Sequence, residues 1–171
     1  METQNNIETQ LKWFVLYTKS RNEKIVAERL SQIGIEVFCP VVKTTKQWSD
    51  RKKTIEEPLF KSYVFVRLEE KHRAKVFEVQ GVVRYLFWLR QAAVVKDQEI
   101  QAIKDLLDHY DHKTISVTQL ETSDRIKIKS GSLAETDGEI VGKQGKKIYV
   151  HIESLQMTVT VDLTQTEVSR L

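Results

Sequence analysis

The sequence is poor in the residues that small-molecule chemistry depends on. Its 171 residues include one cysteine, two prolines and six scattered glycines. A lone thiol, Cys39, cannot form an internal disulfide, and its setting in "VFCPV" suits a small buried apolar side chain. The glycines form no phosphate-cradling loop, and the hydroxyls and histidines fall into no recognisable nucleophile motif. No apolar run approaches the roughly 20 residues of a membrane helix. The start, "METQNNIETQ", has neither the basic nor the apolar region of a secretory signal and reads as a short disordered tail. These absences point to a cytoplasmic protein that is not an enzyme, has no membrane partner and needs no cofactor. One cluster could hold a metal, "DHYDH" (108–112), with His109 and His112 three apart beside Asp108 and Asp111. Zinc takes three or four protein ligands and the cysteine is far away in sequence, so the cluster reads as a solvated helix end.

Charge is present and unevenly placed. The formal net charge is +3, but residues 11–110 carry 19 Lys/Arg against 13 Asp/Glu, whereas residues 111–171 carry 8 against 9. A basic N-terminal part beside a near-neutral C-terminal part suggests a polyanion as partner of the first. The charge is densest in "KTTKQWSDRKK" (43–53), where Lys43, Lys46, Arg51, Lys52 and Lys53 surround Trp48. As the arm of a hairpin, these cations can reach phosphates and the indole can stack on an unpaired base. A second cluster, Lys19, Arg21, Lys24 and Arg29, lies at a strand–helix junction, with Arg21, Lys24 and Lys19 close together. Each of these basic residues taken singly also fits a charged exterior.

The periodicities give an α+β chain. Strands are expected at 12–19, 35–43, 63–68 and 82–88, with Pro40 marking an edge or a bulge. Helices are expected from Asn22 to Gly34, over 69–81 and over 97–110, the last capped by Asp97. The order β-α-β-hairpin-β-α-β-α fits a mainly antiparallel sheet with helices packed against it. Alternation puts Trp13, Val15 and Tyr17 on one face and Phe14 and Leu16 on the other, so both faces are apolar and one needs a further cover. Residues 111–121 read as a linker. Short strands at 125–129, 138–143, 146–152 and 156–162 and a last "EVSRL" then suggest a small β-barrel over 122–171.

"WFVLYTKSRNEKIVAERL", "VFCPVV", the basic insert, "EPLFKSYVFVRL", "GVVRYLFW" and "AAVVKDQEI", taken in order, resemble the N-terminal domain of the NusG family of transcription elongation factors. The resemblance is nearest to specialised antiterminators of the RfaH and UpxY type, which serve surface-polysaccharide operons. "DRIKIKSGSLAETDGEIVG" resembles the KOW motif that follows. The resemblance implies an N-terminal domain over 11–110 that docks on the clamp helices of RNA polymerase through Tyr17, Tyr63 and Phe65, with Phe60 beside them. "KHRAK" (71–75), with His72 and Arg73, would reach the other jaw of the cleft. Holding the clamp shut would suppress pausing or termination. Lys19 and Arg29 would contact the non-template DNA strand, near the hairpin. Gln80 stands where a DNA-reading relative has a basic residue, so no sequence preference carries over. Ser123, Ser132 and Glu135 depart from the KOW pattern, which leaves open whether a small-subunit ribosomal protein or Rho binds there. The protein is expected to be a monomer. Two rival readings are a ribosome-associated or RNA-binding KOW protein and a metal-dependent enzyme.

Overall fold

Apolar side chains at alternate positions of 11–18 and 63–69 commit both segments to extended, paired backbone. The structure, a computed structural model, describes residues 10–119 and 141–165. In chain order its elements are β1 (Leu11–Thr18), α1 (Glu23–Gln32), β2 (Glu36–Phe38), β3 (Val41–Gln47), β4 (Lys52–Pro58) and β5 (Tyr63–Glu69). They continue with a 3-10 run (Glu70–Glu78), β6 (Val82–Tyr85), β7 (Phe87–Trp88), β8 (Gln91–Ala92), β9 (Val94–Val95) and α2 (Asp97–His109). A 3-10 turn (His112–Thr114), β10 (Ile115–Gln119), β11 (Val141–Gln144), β12 (Lys147–Ile152) and β13 (Met157–Asp162) complete the set, with short 3-10 turns after β12 and β13. Contacts divide the chain into two compact units. The described residues of the first are those up to Phe38 and Ser62–Val94, and the second begins with Cys39–Lys61 and resumes at Val95.

The first unit is built on an antiparallel sheet in the order β2-β5-β1-β6, and β9 pairs with β1 where the chain leaves it. β1 and β5 pair from Leu11↔Glu69 to Tyr17↔Tyr63. Phe14, Leu16, Val64, Val66 and Leu68 are buried, as are Val26 and Leu30 of α1, which packs against β2 and β5. Full burial of each such side chain contributes about 1.5–3 kcal/mol. Trp13, Val15 and Phe65, on the opposite face, are buried as well. Phe38 of β2 packs edge-on to Trp13 at 6.5 Å and tilted against Phe65 at 5.9 Å.

The second unit holds the β3–β4 hairpin, α2 and an antiparallel sheet in the order β10-β13-β12-β11. α2 buries Ile100, Ile103 and Leu106 and packs against β12. Its N-cap is Lys96 rather than Asp97, and the Glu99 carboxylate turns back to accept from the Lys96 N–H at 2.8 Å. The sheet buries Val150, Ile152, Val159 and Val161.

Three further expectations change. Residues 70–78 form a 3-10 run, not an α-helix: only Val76 of their apolar residues is buried and Phe77 is exposed, so no 3.6-residue stripe exists to hold α geometry. The single strand expected over 35–43 breaks at Cys39-Pro40 into β2, an edge strand, and β3. The 111–121 segment is not a structureless linker, since β10 pairs with β13 from Ile115↔Val161 to Gln119↔Met157. The expected strand at 125–129 and the last "EVSRL" lie outside the described residues, as do Ser123, Ser132 and Glu135.

Gly81 has φ +107°, and a Cβ there would stand 2.7 Å from Val26 Cγ2. Gly81→Ala is expected to destabilise the protein by about 1–3 kcal/mol through backbone strain and overpacking, read as a lower urea midpoint with the fold otherwise retained.

Candidate functional site

Register decides which of the sequence-nominated aromatics meet. Tyr17 on β1 lies between Tyr63 on β5 and Arg84 on β6. The two tyrosine rings meet edge to face at 5.8 Å, and the Arg84 guanidinium sits 5.2 Å from the Tyr17 ring centre. Both tyrosines are half-buried and Arg84 is exposed. The β1–β6 register shifts between Tyr17 and Thr18, so an irregularity sits beside the cluster. Phe60 and Phe65 do not join it at the surface. They are 2% and 0% exposed, so they act as core residues rather than contacts.

The corner leading into Tyr63 is held by a buried acid. Ser62 has φ +65°, a left-handed conformation that costs a non-glycine residue roughly 1–2 kcal/mol. Its N–H donates to Glu23 Oε1 at 2.6 Å, while its carbonyl accepts from the Thr18 N–H at 2.8 Å. Glu23 is 5% exposed, at the first residue of α1. Neither Glu23 nor Arg84 was singled out from the sequence. An acid in a first helical turn is ordinarily a solvated one, and only the contact with Ser62, 39 positions away, marks this one.

The junction cations stand on a tight turn. Lys19, Arg21, Lys24 and Arg29 are all exposed. Arg21 has φ +61°, and the turn is closed by Asn22 N–H to the Lys19 carbonyl at 3.1 Å and by Lys19 N–H to the Gly81 carbonyl at 2.9 Å. Arg29 reaches the Gln80 carbonyl at 3.4 Å. Asn22 stands at the N-cap, but its amide donates to the Ser20 carbonyl instead of capping the helix.

His72 is exposed, with Glu69 4.0 Å away. Arg73 faces inward. Its guanidinium lies 5.4 Å from the Phe14 ring centre and 4.6 Å from that of Tyr85, and its carbonyl accepts from the Tyr85 hydroxyl at 2.7 Å. Burial pushes the Tyr85 hydroxyl up to about 12, against the opposing pull of Arg73.

In the second unit the hairpin pairs Lys43↔Glu56, Lys46↔Lys53 and Gln47↔Lys52. Reciprocal Trp48–Arg51 backbone bonds at 2.9 and 3.3 Å close a two-residue tip. Period-two alternation puts Lys46, Lys53, Trp48 and Arg51 on one face. Trp48 is 60% exposed. Lys46 is paired with Glu57, whose carboxyl it holds below its ordinary range. Arg51, Lys52 and Lys53 are exposed. Like charges directly opposite, as at Lys46↔Lys53, cost a hairpin stability. In the "DHYDH" cluster His109 Nδ1 is 2.8 Å from the Asp105 carbonyl oxygen, and both ring nitrogens of His112 are engaged by main-chain groups.

A family model described as transcription termination factor NusG matches residues 11–104. The chain belongs to the NusG family. Members of the NusG family are transcription factors that generally bind RNA polymerase. A solved structure titled "Domain interaction in Thermotoga maritima NusG" is similar at 24% identity, over 91% of this chain and 96% of that one, with a TM-score of 0.44. The NusG match starts at the first residue of β1 and ends inside α2, so it takes in the Tyr17–Tyr63–Arg84 cluster, the basic turn and the hairpin. Among the described residues no helix is long and apolar enough to cross a membrane.

Glu23→Ala would strand the Ser62 N–H and is expected to cost about 1–3 kcal/mol. Glu23→Gln, which keeps an acceptor, should cost less in the same unfolding measurement. Tyr85, with its folded value raised above that of the unfolded chain, stabilises the fold fully below pH 10; that contribution declines from there and is gone above about 12. Unfolding midpoints should fall between pH 10 and 12 for wild type, and Tyr85→Phe should flatten that fall.

Proposed function

We propose that this NusG-family protein is an elongation and antitermination factor that docks on the RNA polymerase clamp helices through Tyr17 and Tyr63. The observation that carries the reading is the half-exposed Tyr17–Tyr63 pair with Arg84 at its flank, on three adjacent strands inside the family match. Rigid amphipathic rings beside an arginine have the composition of a binding hot spot. Docking there, with His72 reaching the opposite jaw, favours the closed clamp over the paused state. Arg73, packed over Phe14 and Tyr85, has no part in that reach.

The cations have a separate task. The Trp48–Arg51–Lys53 face of the hairpin, and the turn with Lys19, Arg21, Lys24 and Arg29, bind the exposed non-template DNA strand by phosphate neutralisation and stacking on the indole. The C-terminal part, read as a KOW domain, recruits a further partner such as a small-subunit ribosomal protein or Rho. The protein acts as a cytoplasmic monomer, and surface-polysaccharide operons are the proposed targets.

Capture of RNA polymerase on immobilised protein tests the docking. Tyr17→Ala/Tyr63→Ala should lose at least about tenfold in capture, the effect of removing roughly 1.4 kcal/mol or more. Undiminished capture would contradict the assignment. For the DNA arm, Lys46→Glu/Arg51→Glu/Lys53→Glu should weaken binding of single-stranded DNA and flatten its log–log salt slope by roughly 2. An unchanged slope would leave the hairpin a solvated loop.

A further inference from the structure

An imidazole just past α2 bonds both the basic hairpin and the last turn of that helix. His112 Nδ1 accepts from the Lys43 main-chain N–H at 2.9 Å, and Nε2 lies 2.9 Å from the Leu107 carbonyl oxygen. An accepting Nδ1 needs its lone pair, so the ring proton sits on Nε2, which donates to Leu107. Leu107 is in the last turn of α2, where carbonyls have no helical donor left. Lys43 is in β3, three residues before Lys46.

The turn that presents this ring is itself fixed. Asp111 Oδ1 accepts from the Lys113 N–H at 3.0 Å, and the Asp111 carbonyl accepts from the buried Thr114 through its N–H at 2.9 Å and its hydroxyl at 2.7 Å. The turn packs against both β3 and β13. From β3 onward to the tip, by contrast, Thr45–Lys53 is exposed throughout. A hairpin of this kind points its cations in a fixed direction only if its base is held.

We infer that His112 is a positioning residue for nucleic-acid binding: it anchors the base of the hairpin to α2 and so fixes the aim of Trp48, Arg51 and Lys53. The role rests on the hairpin's binding of single-stranded nucleic acid. An anchored hairpin meets its ligand already ordered, whereas a released one must be ordered on binding, which lowers affinity without removing a charge.

The test uses the full chain, its Lys43 amide exchange rate by NMR, and its affinity for a single-stranded oligodeoxynucleotide. His112→Ala should speed Lys43 exchange and weaken oligonucleotide binding, each by about tenfold, as for loss of roughly 1.4 kcal/mol. The salt slope should not change, because every cation is retained. His112→Gln, whose amide offers one acceptor and one donor, should restore both in part. His112→Phe keeps the ring volume without the nitrogens and should behave as alanine does; it serves where alanine does not fold. Lys43 exchange as slow in His112→Phe as in wild type would overturn the anchor. Fast exchange with unchanged affinity would overturn the positioning role. Failure of the wild type itself to bind the oligonucleotide would overturn the nucleic-acid reading and the positioning role with it, and Lys43 exchange tells that result from failure of the anchor.

Discussion

The register of β1 against β5 is the constraint on which the first unit depends. Seven cross-strand pairs from Leu11↔Glu69 to Tyr17↔Tyr63 put Phe14, Leu16, Val64 and Val66 on one face and Val15, Phe65, Tyr17 and Tyr63 on the other. A slip by one residue would exchange the faces of a whole strand. The Tyr17–Tyr63 pair would then be lost, and Thr18, fully buried here, would take the place of a tyrosine. Burial of both faces over most of the ladder makes such a slip costly. The same pairing that holds the core therefore places the aromatic pair. Glu23, by holding Ser62 in its left-handed conformation, fixes the corner at the Tyr63 end of that ladder.

The hairpin follows a different logic. Beyond its first residues it buries almost nothing, sets lysine opposite lysine and leaves an indole 60% exposed at its tip. Each feature lowers the stability of an isolated hairpin. Together they make a basic surface with an exposed indole. His112 supplies at the base what the arms cannot supply along their length, a fixed connection to a helix.

Much of this was legible in the sequence. Alternation in "WFVLYT" and "YVFVRL" gave the central strands, and the apolar spacing of Ile100, Ile103 and Leu106 gave α2. The run "KTTKQWSDRKK" gave the hairpin and its charge. Long-range placement was less accessible. Period two says that Phe65 shares a face with Tyr63, but not that one is buried and the other half-exposed. Arg73 reads as a free cation until Phe14 and Tyr85 are seen beneath it. β10 escaped notice because only Ile115 and Val117 carry its apolar pattern, and its pairing with β13 is non-local. His112 reads as part of a solvated helix end, whereas both its ring nitrogens meet main-chain groups, which no spacing rule reveals.

The proposed docking of the tyrosine face on the RNA polymerase clamp, and of the hairpin on DNA, is open to direct measurement by site-specific photocrosslinking. A benzophenone side chain placed at Tyr63 in one preparation and at Trp48 in another would be irradiated in a stalled transcription complex containing a labelled non-template strand. The expected result is a polymerase adduct from position 63, mapping to the clamp helices, and a DNA adduct from position 48. A complex in which position 63 yields no polymerase adduct, while position 48 still labels DNA, would contradict docking through this face.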